Sequence, residues 1–138
     1  MYAFNHLSLA DVLSREFSPY IGFEADNNVP AGDIKGSNFI LVQDNVYGLS
    51  RRNGLMFQGS FYSGGMHGIG AISPADSYSI DSKIDDGIAH TGKLVTLHAF
   101  LNNKASADAC IDANSWETPA NYNLTLAATT CRLFHFLD

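Results

Sequence analysis

The sequence predicts an α+β fold: an N-terminal helix packed on a small antiparallel β-sheet, with a second short helix. Three observations predict it. Leu7, Ala10, Leu13 and Phe17 fall on one stripe at helical spacing. A helix start, Ser73-Pro74-Ala75-Asp76, stands near the middle of the chain. The remaining apolar residues lie in short alternating runs, the last of which reads as a hairpin, so the strands pair antiparallel.

Taken in order, the first helix runs from Phe4 to about Phe17. Pro19 breaks it by pushing Ser18 out of helical geometry. Leu9 and Val12 fall off its apolar stripe, as in a helix covered on more than one side. Residues 22–36 form a long polar loop rich in Asn, Asp and Gly. Two strands follow, about Asn38 to Gln43 and about Leu55 to Tyr62, with 45–54 as the turn region between them. In the second, Leu55, Phe57 and Phe61 alternate onto one face, with Gln58 and Ser60 on the other. Residues 63–70 are a glycine-rich connector.

In the second helix Ser73 is the N-cap, Pro74 takes the first position and Asp76 sits in the first turn. Gly87 stops it after about Asp86, and Ile80 and Ile84 form its buried edge. Lys93 to Leu101 alternates, with Val95, Leu97, Ala99 and Leu101 on one face and His98 on the other. Tyr122, Leu124 and Leu126 alternate, 128–130 turn, and Cys131 to Leu137 returns as the second arm of a terminal hairpin. Two helices and about five strands result. No repeat or linker divides them, so residues 1–138 read as one domain.

Composition excludes several classes of function. The apolar share of 46% supports one core, and the charged share of 16% is too low for a disordered tail or a coiled coil. A formal charge of -6 and a lone basic pair, Arg51-Arg52, argue against nucleic acid and against an anionic membrane surface as partners. The longest strongly apolar run, Phe39 to Val42, is too short to span a bilayer. The first residues, Met1 to His6, do not read as a signal peptide.

The chemistry-bearing residues make no recognisable catalytic or cofactor-binding pattern. His6, His67, His90, His98 and His135 include no pair three or four apart, so they read as ordinary histidines and not as a helical metal pair. Residues 64–70 lack the Gly-Lys-Ser/Thr ending of a phosphate loop. No Gly-x-Ser-x-Gly turn occurs. Asn123-Leu124-Thr125 matches an N-glycosylation sequon, but its place inside an expected strand argues against modification. Cys110 and Cys131 are spaced either for a structural disulfide or as two buried thiols, and spacing alone leaves both open.

One cluster breaks a local rule. Asp81, Asp85 and Asp86 crowd the C-terminal half of the second helix, where the helix already carries partial negative charge. The favoured compensation is that Asp85 and Asp86 accept hydrogen bonds from backbone N–H groups of the turn 87–92. A hard cation such as calcium is the less favoured alternative, since the spacing is not that of an EF-hand. No metal ligand is therefore assigned.

The stretch Ala75-Asp76-Ser77-Tyr78-Ser79-Ile80-Asp81-Ser82-Lys83-Ile84-Asp85-Asp86-Gly87, followed by Thr91-Gly92-Lys93-Leu94, resembles the C-terminal region of bacterial type IV pilin-like proteins, which begin with a prepilin-type cleavage and methylation segment. The cysteine pair, closing on Cys131-Arg132-Leu133-Phe134-His135-Phe136-Leu137, is similar to theirs, and so is His6-Leu7-Ser8-Leu9-Ala10 near the start. The likeness covers both ends, roughly the last 65 residues well, and not 18–72.

The resemblance implies a pilin-like head and a structural subunit of a type IV pilus or type II secretion pseudopilus, with no catalysis and no cofactor. It implies a Cys110–Cys131 disulfide, other pilin-like subunits as partners, and a cell-surface or periplasmic location. It also implies an apolar helix upstream of Phe4 that anchors the chain in the inner membrane before assembly. The alternative is an extracellular adhesin-like module that binds a ligand through loop aromatics, for which Tyr20, Phe23, Tyr47 and Trp116 are the candidates. A small secreted hydrolase is the weakest reading, because no acid–base pair is visible.

Overall fold

The computed structural model describes residues 3–18, 28–44, 52–59, 69–98, 110–112 and 120–137. They form two helices, α1 (Ala3–Leu9) and α2 (Pro74–Ile84), and four strands, β1 (Ser37–Asp44), β2 (Arg52–Gly59), β3 (Leu94–His98) and β4 (Cys131–Phe136). The strands make one sheet in the order β1-β2-β4-β3. Every pairing is antiparallel. This is the expected α+β class.

Strands β3 and β4 are buried on both faces, as their sequence alternation does not suggest, while Leu41 of β1 is exposed and Leu55 and Phe57 of β2 are half-buried. On one face Leu94 of β3 and Cys131 and Leu133 of β4 join Ala71, Ile72, Ala89, Cys110, Ile111, Ala120 and Tyr122, with Phe57 and Ile80 packed against them. On the other, Phe134 and Phe136 of β4 meet Met56, Val95, Leu97, Ile40 and Val29, with Phe4 of α1 against this group. The face predicted to be polar in β2 is therefore interior, and Gln58 is fully buried. β2 begins three residues before the expected Leu55, so residues 52–54, expected in a turn, are paired with β1. Gly54 sits there for a steric reason. A Cβ at that position would lie 2.1 Å from Cζ of Phe134, whose ring fills the space.

α1 is shorter than its stripe predicts. Asp11 adopts a left-handed conformation, φ 56°. The Val12 N–H donates to the Leu7 carbonyl at 2.9 Å and the Asp11 N–H to the Ser8 carbonyl at 3.0 Å. That pair of bonds is a Schellman stop with Asp in the place usually taken by Gly. The chain then doubles back, so that the Asn5 side chain donates to the Phe17 carbonyl at 2.7 Å and the Phe4 and Phe17 rings lie 5.8 Å apart. Leu9 and Val12, expected to be covered, are 76% and 65% exposed.

α2 begins as predicted. The Asp76 N–H donates to Oγ of Ser73, and Pro74 follows the cap. Its inner face is different: the buried residues are Pro74, Ser77 and Asp81, while Ile84 is 62% exposed. The predicted terminal hairpin is absent. Residues 124–125 lie in a turn, and Tyr122 makes only an isolated bridge, to Ile111. β4 instead runs between β2 and β3. Among the described residues no helix is long and apolar enough to cross a membrane.

Candidate functional site

The chemistry of the described residues gathers at the corner where α2 turns into β3. Asp85 caps α2, its N–H bonded to the Asp81 carbonyl at 2.7 Å. Its carboxylate Oδ2 reaches across the turn and accepts from the N–H groups of Lys93 at 2.5 Å and Leu94 at 2.7 Å, the first residues of β3 and its approach. Asp86 Oδ1 accepts from the Ile88 N–H at 2.8 Å, and its Oδ2 accepts from the Thr91 hydroxyl. Gly87 and Gly92 both have positive φ, 75° and 72°. At Gly92 any side chain would collide with the Asp85 carboxylate, since a Cβ would stand 2.0 Å from Oδ2.

Asp81 is the interior member of the cluster. Its Oδ1 accepts from the Gly87 N–H at 3.3 Å, and its Oδ2 accepts from the Tyr122 hydroxyl at 2.6 Å. That hydroxyl also lies 2.8 Å from Oγ1 of Thr96 on β3. One buried chain of polar groups thus ties α2, β3 and the 120–123 segment together. Desolvation raises the Asp81 carboxyl above its ordinary range, with the Tyr122 and Gly87 bonds opposing that shift less strongly. Burial also pushes the Tyr122 hydroxyl upward, and its bond to Asp81 adds to the shift. Tyr122 therefore serves as a donor and not as a proton source at ordinary pH.

Oxygens of Asp81, Asp85 and Asp86 lie within 4.8 Å of one another, close enough to hold an ion. Both oxygens of Asp81, both of Asp86 and one of Asp85 already accept from protein donors. The unfavourable crowding at the helix end is thus compensated by the backbone of the turn and of β3, as the sequence favours. The bonds of Asp85 extend beyond the predicted 87–92, to Lys93 and Leu94.

The disulfide is present: Cys110 and Cys131 are joined, with Cα atoms 5.1 Å apart and a separation of 21 residues. Both are fully buried. The bond holds the 110–112 segment against the start of β4. The Ile111–Tyr122 bridge and the bond from the Asn123 N–H to the Cys110 carbonyl at 3.0 Å then place Tyr122 beneath Asp81. Nearby, Asp112 accepts from the side chain and backbone of Asn121 at 3.0 and 2.8 Å. These bonds hold its carboxyl below the usual range, and His90 adds a smaller attraction.

The opposite face of the sheet carries a buried polar group that sequence alternation passes over. Asn38, Gln58 and Arg132 are all fully buried. Arg132 Nη1 donates to Met56 Sδ at 3.9 Å. Arg132 alternates with Phe134 and Phe136, which was a signal that it shares their inward face. Tyr122 left no comparable signal, because its partner Asp81 is 41 residues away.

Of the remaining candidates, His6 is exposed, His90 is buried and His135 is half-buried. His67 and the aromatics Tyr20, Phe23, Tyr47 and Trp116 lie outside the described residues. Set against protein-family models, curated proteins and solved structures, the chain matches none of them.

Proposed function

We propose that this chain is the head of a pilin-like filament subunit, structural and without catalysis, belonging to a bacterial type IV pilus or a type II secretion pseudopilus. The observation that carries the reading is the corner over 80–94. Within the stretch that resembles the pilin-like group, Asp81, Asp85 and Asp86 each hold a backbone turn or a buried hydroxyl. Its residue types therefore have a role in building a rigid head, and they need no substrate.

The Cys110–Cys131 bond supports a location outside the reducing cytosol, at the cell surface or in the periplasm. Two central strands buried on both faces and a closed loop of this length suit a subunit that must persist there, the disulfide contributing about 3 kcal/mol by restricting the unfolded chain. Its partners on this reading are other pilin-like subunits. Before assembly it is held in the inner membrane by an apolar helix upstream of Phe4.

The natural reading frame upstream of Phe4 tests the proposal. An apolar stretch of about 20 residues with a glutamate near its start, behind a short basic leader, is expected, together with the protein in filaments sheared from the cell surface or in the secretion pseudopilus. A natural start or a stop codon immediately before this segment would remove the pilin reading.

A further inference from the structure

We propose that Asn123 is an acceptor for N-linked glycosylation, the donor being an oligosaccharide carried on a lipid pyrophosphate. Asn123-Leu124-Thr125 satisfies the sequence requirement of such a site. The sequence argues against its use by placing it in a strand, and the structure removes that objection. The Asn123 carbonyl accepts from the Leu126 N–H at 3.0 Å, closing a four-residue turn with Leu124 and Thr125 at its corners. Thr125 is exposed and Leu124 is 54% exposed, so the turn stands at the surface with Asn123 half-buried at its base.

Two further features present the residue. The Thr125 hydroxyl donates to Oδ1 of Asn123 at 2.8 Å, so the two side chains that define the sequon are already in contact. The carboxamide is planar, and fixing Oδ1 on Thr125 fixes where Nδ2 lies. The base of the turn is also held: the Asn123 N–H donates to the carbonyl of Cys110, itself bonded to Cys131. A transferase thus meets a short, exposed turn on a rigid support. The disulfide is the independent observation on compartment, because it belongs to the oxidising environments in which asparagine-linked sugars are found.

In the transfer, Nδ2 of Asn123 attacks the anomeric carbon of the donor sugar. The bond from that carbon to the pyrophosphate oxygen breaks, an N-glycosidic bond forms, the lipid pyrophosphate leaves with the electron pair, and one amide proton passes to a base of the transferase. Nothing is oxidised or reduced. The attached sugar would stand beside Leu124 and shield an apolar side chain otherwise open to solvent. The site does not depend on whether the chain assembles into a filament.

The test uses the oxidised, folded chain with a purified single-subunit oligosaccharyltransferase that needs no acidic residue before the sequon, and a lipid-linked oligosaccharide. Peptide mass spectrometry reads the product. Wild type and Thr125→Ser are expected to gain one oligosaccharide mass on the peptide bearing Asn123. Asn123→Gln and Thr125→Ala are expected to gain none, with the disulfide and circular dichroism of Thr125→Ala unchanged. An unmodified folded wild type would overturn the proposal, whether or not a short peptide spanning 121–126 is modified in the same reaction. Attachment that persists in Thr125→Ala would overturn it too.

Discussion

Asp81 lies on the inner face of α2 with its carboxylate against the Tyr122 hydroxyl, and desolvation raises its pKa above the ordinary 3.8. The folded chain therefore holds the Asp81 proton more tightly than the unfolded chain does. The stabilising contribution of that proton is fully present below 3.8, and it is lost as the pH rises through the folded value. Asp81→Asn abolishes it. Urea midpoints measured from neutral pH down to about 3.8 are expected to show wild type gaining on the variant as pH falls, and parallel curves would refute the assignment. Beside it, Asp85 and Gly92 act as a pair. Asp85→Ala leaves the Lys93 and Leu94 N–H groups without their carboxylate and is expected to cost about 2 kcal/mol. Gly92→Ala forces a side chain into a left-handed conformation against the same carboxylate, costing at least ~1 kcal/mol. Because part of the second cost is the collision with Asp85, the double variant should lose less than the sum in denaturant titrations. Strict additivity would mean that the two residues do not meet.

At the scale of elements, β2 and β4 fit through a notch. Gly54 lies opposite Phe136, and the Phe134 ring occupies the space where a side chain would start. Phe134 and Phe136 meet edge to face at 5.1 Å, so the ring has little room to retreat. Gly54→Ala is expected to destabilise by about 1 to 3 kcal/mol through overpacking. Phe134→Leu opens the notch, and the cost of Gly54→Ala measured in that background should fall. An equal cost in both backgrounds would place the effect in the backbone and not in the ring. The same notch explains why the start of β2 was not legible. Asn53-Gly54 has the composition of a turn, and only the partner strand makes it a strand. α1 shows the converse. Its apolar stripe continues to Phe17, but Asp11 takes a left-handed cap, a choice Asp tolerates without announcing it in sequence. The start of α2 was legible because its cap, its proline and its first-turn acid act within four residues.

For the molecule as a whole, the disulfide and Tyr122 are two anchors of one excursion. Cys110 is tied to β4, while Tyr122 is tied to α2 and β3. Replacing both cysteines by alanine is expected to lower stability by about 3 kcal/mol, the cost of freeing a loop of this length in the unfolded chain. The loss should be uneven. Hydrogen exchange is expected to quicken at the Asp112 and Asn123 amides, whose bonds to Asn121 and Cys110 close the excursion. The β1–β2 pairs should stay protected. Uniform quickening across the sheet would show instead that the bond supports the core as one unit.

What the sequence determined on its own was local or compositional: the α+β class, the start of α2, the place of β1 and β4, and the use of Asp86 on its own turn. Each rests on groups a few residues apart, where backbone geometry leaves few choices. Tertiary structure alone decided which faces are interior. It buried Asp81 and Gln58, exposed Leu9, Val12 and Ile84, and turned 122–126 from a strand into an anchored turn. The physical reason is that burial belongs to a pair of surfaces. A polar side chain can lie inside once a distant partner supplies its hydrogen bond, as Tyr122 does for Asp81 across 41 residues, and no pattern within one segment records that partner.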